Sequence, residues 1–206
     1  MTLLYMKYYT YICPHYTYPL NRFVMKLKLI LASVMLIGLT FSGCEKIKSL
    51  LDVHFNTHYT VDMNLSVPVP GSVGNVASTF QGSATINPKD NAEVAKYGKL
   101  IKGFDISSAT GTFKNVSKAM TLVSAELSIT SGNQTASWQF SNLSITNGTH
   151  ITFDNSNGQW DKVNAILGSL EPFTVTLSGE TDKDGVSFTM TLAIDATVTA
   201  NPLSSK

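Results

Sequence analysis

From residue 59 onward the chain alternates apolar and polar residues with a period of two, the mark of strands that bury one face and wet the other. The clearest run is Val186 to Val198. Val186, Phe188, Met190, Leu192, Ile194, Ala196 and Val198 share one parity, and Ser187, Thr189, Thr191, Asp195 and Thr197 share the other. Phe173, Val175 and Leu177 alternate with Thr174, Thr176 and Ser178 just before it. Between these runs lies Thr181-Asp182-Lys183-Asp184-Gly185, and Asp-Gly between alternating segments predicts a hairpin.

Further strands obey the same rule. Val61, Met63, Leu65, Val67 and Val69 alternate with polar residues and with Pro68 and Pro70, whose shared parity suits an edge strand. Val123, Ala125, Leu127 and Ile129 form another, ended by Ser131-Gly132-Asn133. From Ser137 to Thr146 the apolar phase shifts between Trp138, Phe140 and Leu143, Ile145, which predicts a bulge near Asn142. Asn147-Gly148 turns the chain into Ile151 and Phe153, and Phe80–Ile86 and Phe104–Phe113 are weaker strand signals.

Two segments break the alternation. Asn87-Pro88 offers a helix cap and first position, with Val94, Tyr97, Leu100 and Ile101 on one face and Gly103 as the stop. From Gln159 to Leu170 an apolar stripe of Trp160, Val163, Ile166, Leu167 and Leu170 predicts a second short helix. The expected architecture is mainly β: a two-layer antiparallel β-sandwich over 59–201 with two short helices. A β-barrel or an α+β sheet is the alternative. Residues 202–206 read as a tail.

The segment from Met25 to Cys44 has another character. Lys26 and Lys28 precede an apolar run, Leu29 to Phe41, of 13 residues. That is well short of the roughly 20 that span a bilayer as a helix, and small residues and a cysteine come directly after it. Phe41-Ser42-Gly43-Cys44 resembles the lipobox of bacterial lipoproteins, with Phe41 where that family most often has leucine. The resemblance implies a signal peptide over 25–43, cleavage before Cys44, and acylation of Cys44. It thus implies a membrane anchor with residues 44–58 as tether. Residues 1–24, rich in tyrosine, lie ahead of this signal and read as an extension outside the true start at Met25. The layout looks like that of small envelope lipoproteins of Gram-negative bacteria, which places the chain in the cell envelope, at the outer membrane.

Charge narrows the function classes. All 14 acidic residues lie after Cys44, against 11 of the 15 basic ones, so the part from Cys44 on carries −3. Arg22 is the only arginine, and without a basic patch or a bidentate phosphate grip nucleic-acid binding is set aside. The cysteines are Cys13 and Cys44, so cleavage before Cys44 leaves neither a disulfide nor a cysteine metal site.

No motif carries catalysis. His54 and His58, four apart, lack the glutamate of a zinc-protease helix, and on a strand they stand roughly 13 Å apart, too far for one metal. Asp182, Asp184 and Gly185 fit a turn better than a calcium loop. Gly71-Ser72-Val73-Gly74 has no strand-to-helix context for a hydrolase elbow. Asp62, Glu126 and Asp195 share parity with polar neighbours and read as solvated, while Asp105 has no clear face. Trp138 and Trp160 align with apolar neighbours and read as core, the other role being a stacking platform for sugar rings. The reading is a lipid-anchored binding or adhesion module for a glycan or protein partner. It has no cofactor or metal, and its ligand-binding residues are not legible. A structural or lipid-handling role is the alternative, and a hydrolase the less favoured third.

Overall fold

The computed structural model describes residues 51–69 and 78–203. Eight strands run in chain order: β1 (Val53–Val67), β2 (Ser78–Ile86), β3 (Ile101–Lys114), β4 (Met120–Ser131), β5 (Gln134–Ile145), β6 (His150–Thr152), β7 (Phe173–Thr181) and β8 (Val186–Ala200). Two α-helices interrupt them, α1 (Ala92–Tyr97) and α2 (Gln159–Gly168). The strands form two antiparallel four-stranded sheets, ordered β1-β8-β3-β6 and β2-β7-β4-β5, which pack face to face as the expected sandwich. The sheets do not close into a barrel.

The pairing has one simple rule. β1 pairs β8, β2 pairs β7, β3 pairs β6 and β4 pairs β5, so the first half of the chain runs back along the second half in reverse. A long two-stranded ribbon rolled up in this way is an eight-stranded jelly roll. Its geometry sends successive strands to opposite sheets everywhere except at the centre. There, Ser131 faces Gln134 across the two-residue turn Gly132-Asn133, and Gly132 takes the left-handed φ of +55°.

That rule corrects the hairpin expected at Thr181–Gly185. β7 and β8 lie in different sheets. The connecting residues bond sideways instead of to each other. Asp182 accepts the Thr121 N–H at 2.6 Å and donates its own N–H to the Thr121 carbonyl, while Ser78 Oγ donates to Asp184. The segment thus stitches the ends of β4 and β2 while it crosses the sandwich. The Asn147-Gly148 turn likewise carries the chain from one sheet to the other, between β5 and β6.

β8 is the backbone of its sheet. Its apolar parity from Val186 to Ala200 is buried throughout, and β1 matches it for 15 unbroken pairs, from Val53↔Ala200 to Val67↔Val186. β1 therefore begins at Val53. Residues 53–58, expected in the tether, belong to the sheet, because Thr57 is buried and Phe55 packs on the core with the same parity as Tyr59. β1 is an edge strand as expected, but Pro68 stands just beyond its end, and Pro70 lies outside the described residues.

Between the sheets, Leu122, Leu127, Ile129, Phe113, Phe173, Leu177 and Met190 are fully buried, and Phe188 packs edge-on against Phe80 at 5.3 Å. The phase break expected at Asn142 is present, with φ at +53°, but it is not a bulge against β4, because β4 breaks phase at the facing Val123 and the β4–β5 register is unshifted. The extra residue is instead Val123, where the register of β4 with β7 shifts. Val123 is consequently turned out to solvent (43% exposed), a departure from its place among the expected core residues; Leu122 takes the buried position.

The first helix differs from its prediction. Asn87 caps only a 3-10 turn, Pro88–Asp90. Asn91 then caps α1 by accepting the Glu93 and Val94 N–H groups, and Gly98 ends it at φ +43°, so Gly103 is left within β3. The second cap arises because Asn91 can accept two orphan N–H groups where the 3-10 turn stops. α2 forms as expected, burying Val163, Ile166 and Leu167.

Candidate functional site

Helix α2 lies against the side of the sandwich where the edge strands of the two sheets come together, near β3 and β5. Edge strands expose unpaired backbone groups, and buried ones must be satisfied. Two amides on α2 do this, one for each sheet. Gln159 Oε1 accepts the Ser137 N–H of β5 at 2.8 Å, and Asn164 Oδ1 accepts the Ile106 N–H of β3 at 3.1 Å. Gln159 is only 9% exposed, so its amide is a built-in part of the edge.

Beyond the N-terminus of α2 the two edges are not covered. A cleft of about 690 Å³ opens there, within the range of ligand sites. One wall is β5, with Trp138, Gln139, Phe140 and Leu143; the other is β6 and the residues after it, with Ile151, Thr152, Phe153 and Asp154. Phe140, Leu143 and Ile151 are half-buried and pack on the core, giving an apolar floor. Gln139, Thr152, Asp154, Ser156 and Asn157 give a polar rim.

The wall after β6 is held by both tryptophans. Trp138 Nε1 donates to the Asp154 carbonyl at 2.8 Å, and Trp160 Nε1 donates to the Phe153 carbonyl at 2.9 Å. The Trp138 ring also packs on Phe153, with centroids 5.4 Å apart. Trp138 is 8% exposed and Trp160 half-buried, so neither offers a flat platform to a sugar; they are core residues whose polar atoms fix the cleft wall. Among the described residues, Asp154 is the one charged residue lining the cleft. Its Oδ1 accepts both the hydroxyl and the N–H of Ser156, at 2.5 and 3.1 Å, and these bonds hold its carboxyl below the ordinary 3.8.

The other residues singled out in the sequence are dispersed. His54 and His58 stand on one outer face of β1, as strand spacing requires. His54 bonds Thr199 at 3.0 Å, and His58 bonds Asp195 at 2.6 Å. Asp195 also accepts from Ser108 at 2.7 Å, and the bonds from His58 and Ser108 lower its pKa. This trio crosses three neighbouring strands, but Ser108 contacts the carboxylate and not the imidazole, so it lacks the nucleophile–base contact of a hydrolase. Asp62 bonds Thr191 and Glu126 bonds Gln139, both on outer faces, and Asp105 is exposed. His150 lies apart, on β6 beside Thr112. No group of three or more metal-ligating side chains occurs among the described residues. Gly71–Gly74 and Cys44, with the segments 1–24 and 25–43, lie outside the described residues.

Gln159, Asp154, Gln139 and Thr152 were not singled out in the sequence. The one local signal was Asp154-Asn155-Ser156, a turn composition in which an aspartate bonds the backbone two residues on. Among the described residues, no helix is long and apolar enough to cross a membrane.

No protein-family model and no curated protein matches the chain. Among solved structures, the decameric BFDV capsid protein is similar over 71% of this chain and 99% of its own, at 8% identity and a TM-score of 0.39. Desmodium yellow mottle tymovirus is similar over 75% of this chain and 86% of its own, at 7% identity and a TM-score of 0.27. At these scores neither likeness bears on what this chain does.

Proposed function

We propose that the chain is a lipid-anchored protein of a bacterial cell envelope, tethered through Cys44, whose jelly-roll domain is a binding module and not an enzyme. The observation that carries the binding reading is the cleft between β5 and β6, with its apolar floor and polar rim. Among the described residues its lining holds one carboxylate and neither histidine, cysteine, lysine nor arginine, which supplies no acid–base pair and no activated nucleophile. A protein partner fits better than a glycan. Of the aromatic rings lining the cleft, Trp138 and Phe153 are buried and Phe140 is half-buried, and the large apolar side chains exposed on the described surface, Leu51, Val69, Val123 and Leu203, include no aromatic ring on which a sugar could stack. The anchor rests on the run from Lys26 to Cys44, and two acyl chains suffice for stable attachment.

Two measurements test this. Cys44→Ser should abolish incorporation of labelled palmitate and release the protein from the membrane fraction; unchanged labelling and fractionation would refute the anchor. Thr152→Trp places an indole at the mouth of the cleft. It should abolish recovery of whatever envelope protein co-purifies with the wild-type chain after crosslinking, and equal recovery would refute the cleft as the binding site.

A further inference from the structure

The bonding of β5 determines which of its backbone groups face the cleft. Ser131 and Gln134 close the β4–β5 hairpin, and Ser137 donates its N–H away from β4, to Gln159. In an antiparallel strand the N–H and C=O of one residue point to the same side, and successive residues point to opposite sides. Trp138 and Phe140 therefore direct their backbone to β4, and Gln139 and Ser141 direct theirs to the free edge. On β6, Thr149 accepts from Phe113 and Phe153 donates to Ala109, so the odd positions bond β3 and Thr152 directs its backbone outward.

The chain already shows what satisfies this edge. At Ser137, which lines the α2 end of the cleft, it supplies an amide oxygen from Gln159. On the opposite sheet it supplies another from Asn164. At Gln139 and Ser141 no protein amide takes that place among the described residues. Packed sheets lie about 10 Å apart, and a strand hydrogen-bonds at about 4.8 Å. A chain added to β5 would thus extend that sheet by one strand, about 4.8 Å beyond Gln139 and Ser141, on the side where the cleft opens.

Charge complements this geometry. Asp154 spends Oδ1 on Ser156 and has no cationic partner among the described residues. Its carboxylate stands at the rim of an otherwise uncharged cleft.

Resting on the cleft reading above, we infer that the site takes an extended polypeptide segment. The segment adds as a strand to the free edge of β5 at Gln139 and Ser141 and sets a lysine or arginine against Asp154. Strand addition draws affinity from main-chain bonds and specificity from alternate side-chain contacts. A glycan's hydroxyls donate and accept, but they lack the fixed strand repeat of N–H and C=O groups that pairs with this edge.

The test is to pan a phage library of linear twelve-residue peptides on the full-length chain in detergent. The expected winners lack proline over a central stretch and carry at least one lysine or arginine. Synthesised and fluorescently labelled, the best peptide should bind saturably. It should lose about tenfold in affinity on N-methylation of alternate residues, and a similar factor to Gln139→Pro. That substitution removes an outward N–H and leaves the backbone bonds to β4 in place, losing only the exposed side-chain bond from Gln139 to Glu126. Asp154→Asn keeps the acceptor for Ser156 and should weaken the peptide about threefold, but not its norleucine analogue. Hydrogen exchange on the wild-type chain gives a readout that needs no variant: the peptide should slow exchange at Gln139 and Ser141. The inference is overturned if panning enriches nothing, or if the enriched peptides tolerate N-methylation and leave those two amides unprotected. If that happens while Thr152→Trp still abolishes partner recovery, the cleft reading survives and strand addition alone falls.

Discussion

Removing the Gln159 amide tests the idea that α2 completes the sheet edges. Gln159→Ala leaves the Ser137 N–H of β5 without its acceptor, at a site where Gln159 itself is nearly buried. An unsatisfied buried donor costs about 1–3 kcal/mol, with little offset, because the lost side chain is polar. Urea slopes for small proteins are about 1–3 kcal/mol per molar, so a loss of about 2 kcal/mol lowers the midpoint by about 1 M. The same loss speeds exchange of the Ser137 amide roughly thirtyfold if it opens locally, since 1.4 kcal/mol is a factor of ten. Lys162→Ala is the control. It is exposed and touches Gln159 only at 3.5 Å, so its midpoint should stay within about 0.2 M of wild type. Asn164→Ala should cost a similar amount through Ile106, and because that bond serves the other sheet the two losses should add. Water entering from the cleft could replace the amide. If the midpoint and the Ser137 exchange rate both match the control, the edge is satisfied by solvent and the proposed role of α2 is wrong.

Gly179→Ala would place a Cβ 2.2 Å from the Ser124 carbonyl oxygen and 2.8 Å from Ala125 Cα, both backbone atoms that cannot swing away. It should cost at least about 3 kcal/mol by urea melt, while Gly103→Ala, with nothing within 4 Å, should change stability by less than about 1 kcal/mol. Leu127→Ala empties a fully buried site between the sheets and should cost about 2–5 kcal/mol; a smaller loss would mean that the core collapses around it. Asp195 should titrate below its ordinary 3.8, because His58 and Ser108 bond the carboxylate. The folded pKa is depressed, so the stabilisation it gives is present above 3.8 and lost as pH falls through the lowered value. An NMR titration should show His58→Ala and Ser108→Ala each moving the midpoint upward, and no movement would disprove the pairing.

Alternation in the sequence determined which side of each strand is buried. The apolar parity of Val186 to Val198 is buried throughout, and the phase break before Leu143 marks the left-handed residue Asn142. Both arise from local geometry, since a strand turns successive side chains to opposite faces whatever it pairs with. The stripe of α2 was legible for the same reason. The first helix was less so, because Asn91 and Gly98, two ordinary polar and small residues, shorten it to six residues.

The choice of sheet was decided only in three dimensions. Asp184-Gly185 has the composition of a hairpin turn, yet the strands it joins lie in opposite layers. Both layers bury the same kinds of side chain, so alternation cannot say which layer a strand enters. The side bonds of Asp182 and Asp184 to β4 and β2 join residues 61 and 106 positions apart. The cleft was hidden for a deeper reason. It is made where two edges meet, largely from backbone groups that every residue possesses, and Gln159 and Asp154 acquire their roles only from what the fold places opposite them.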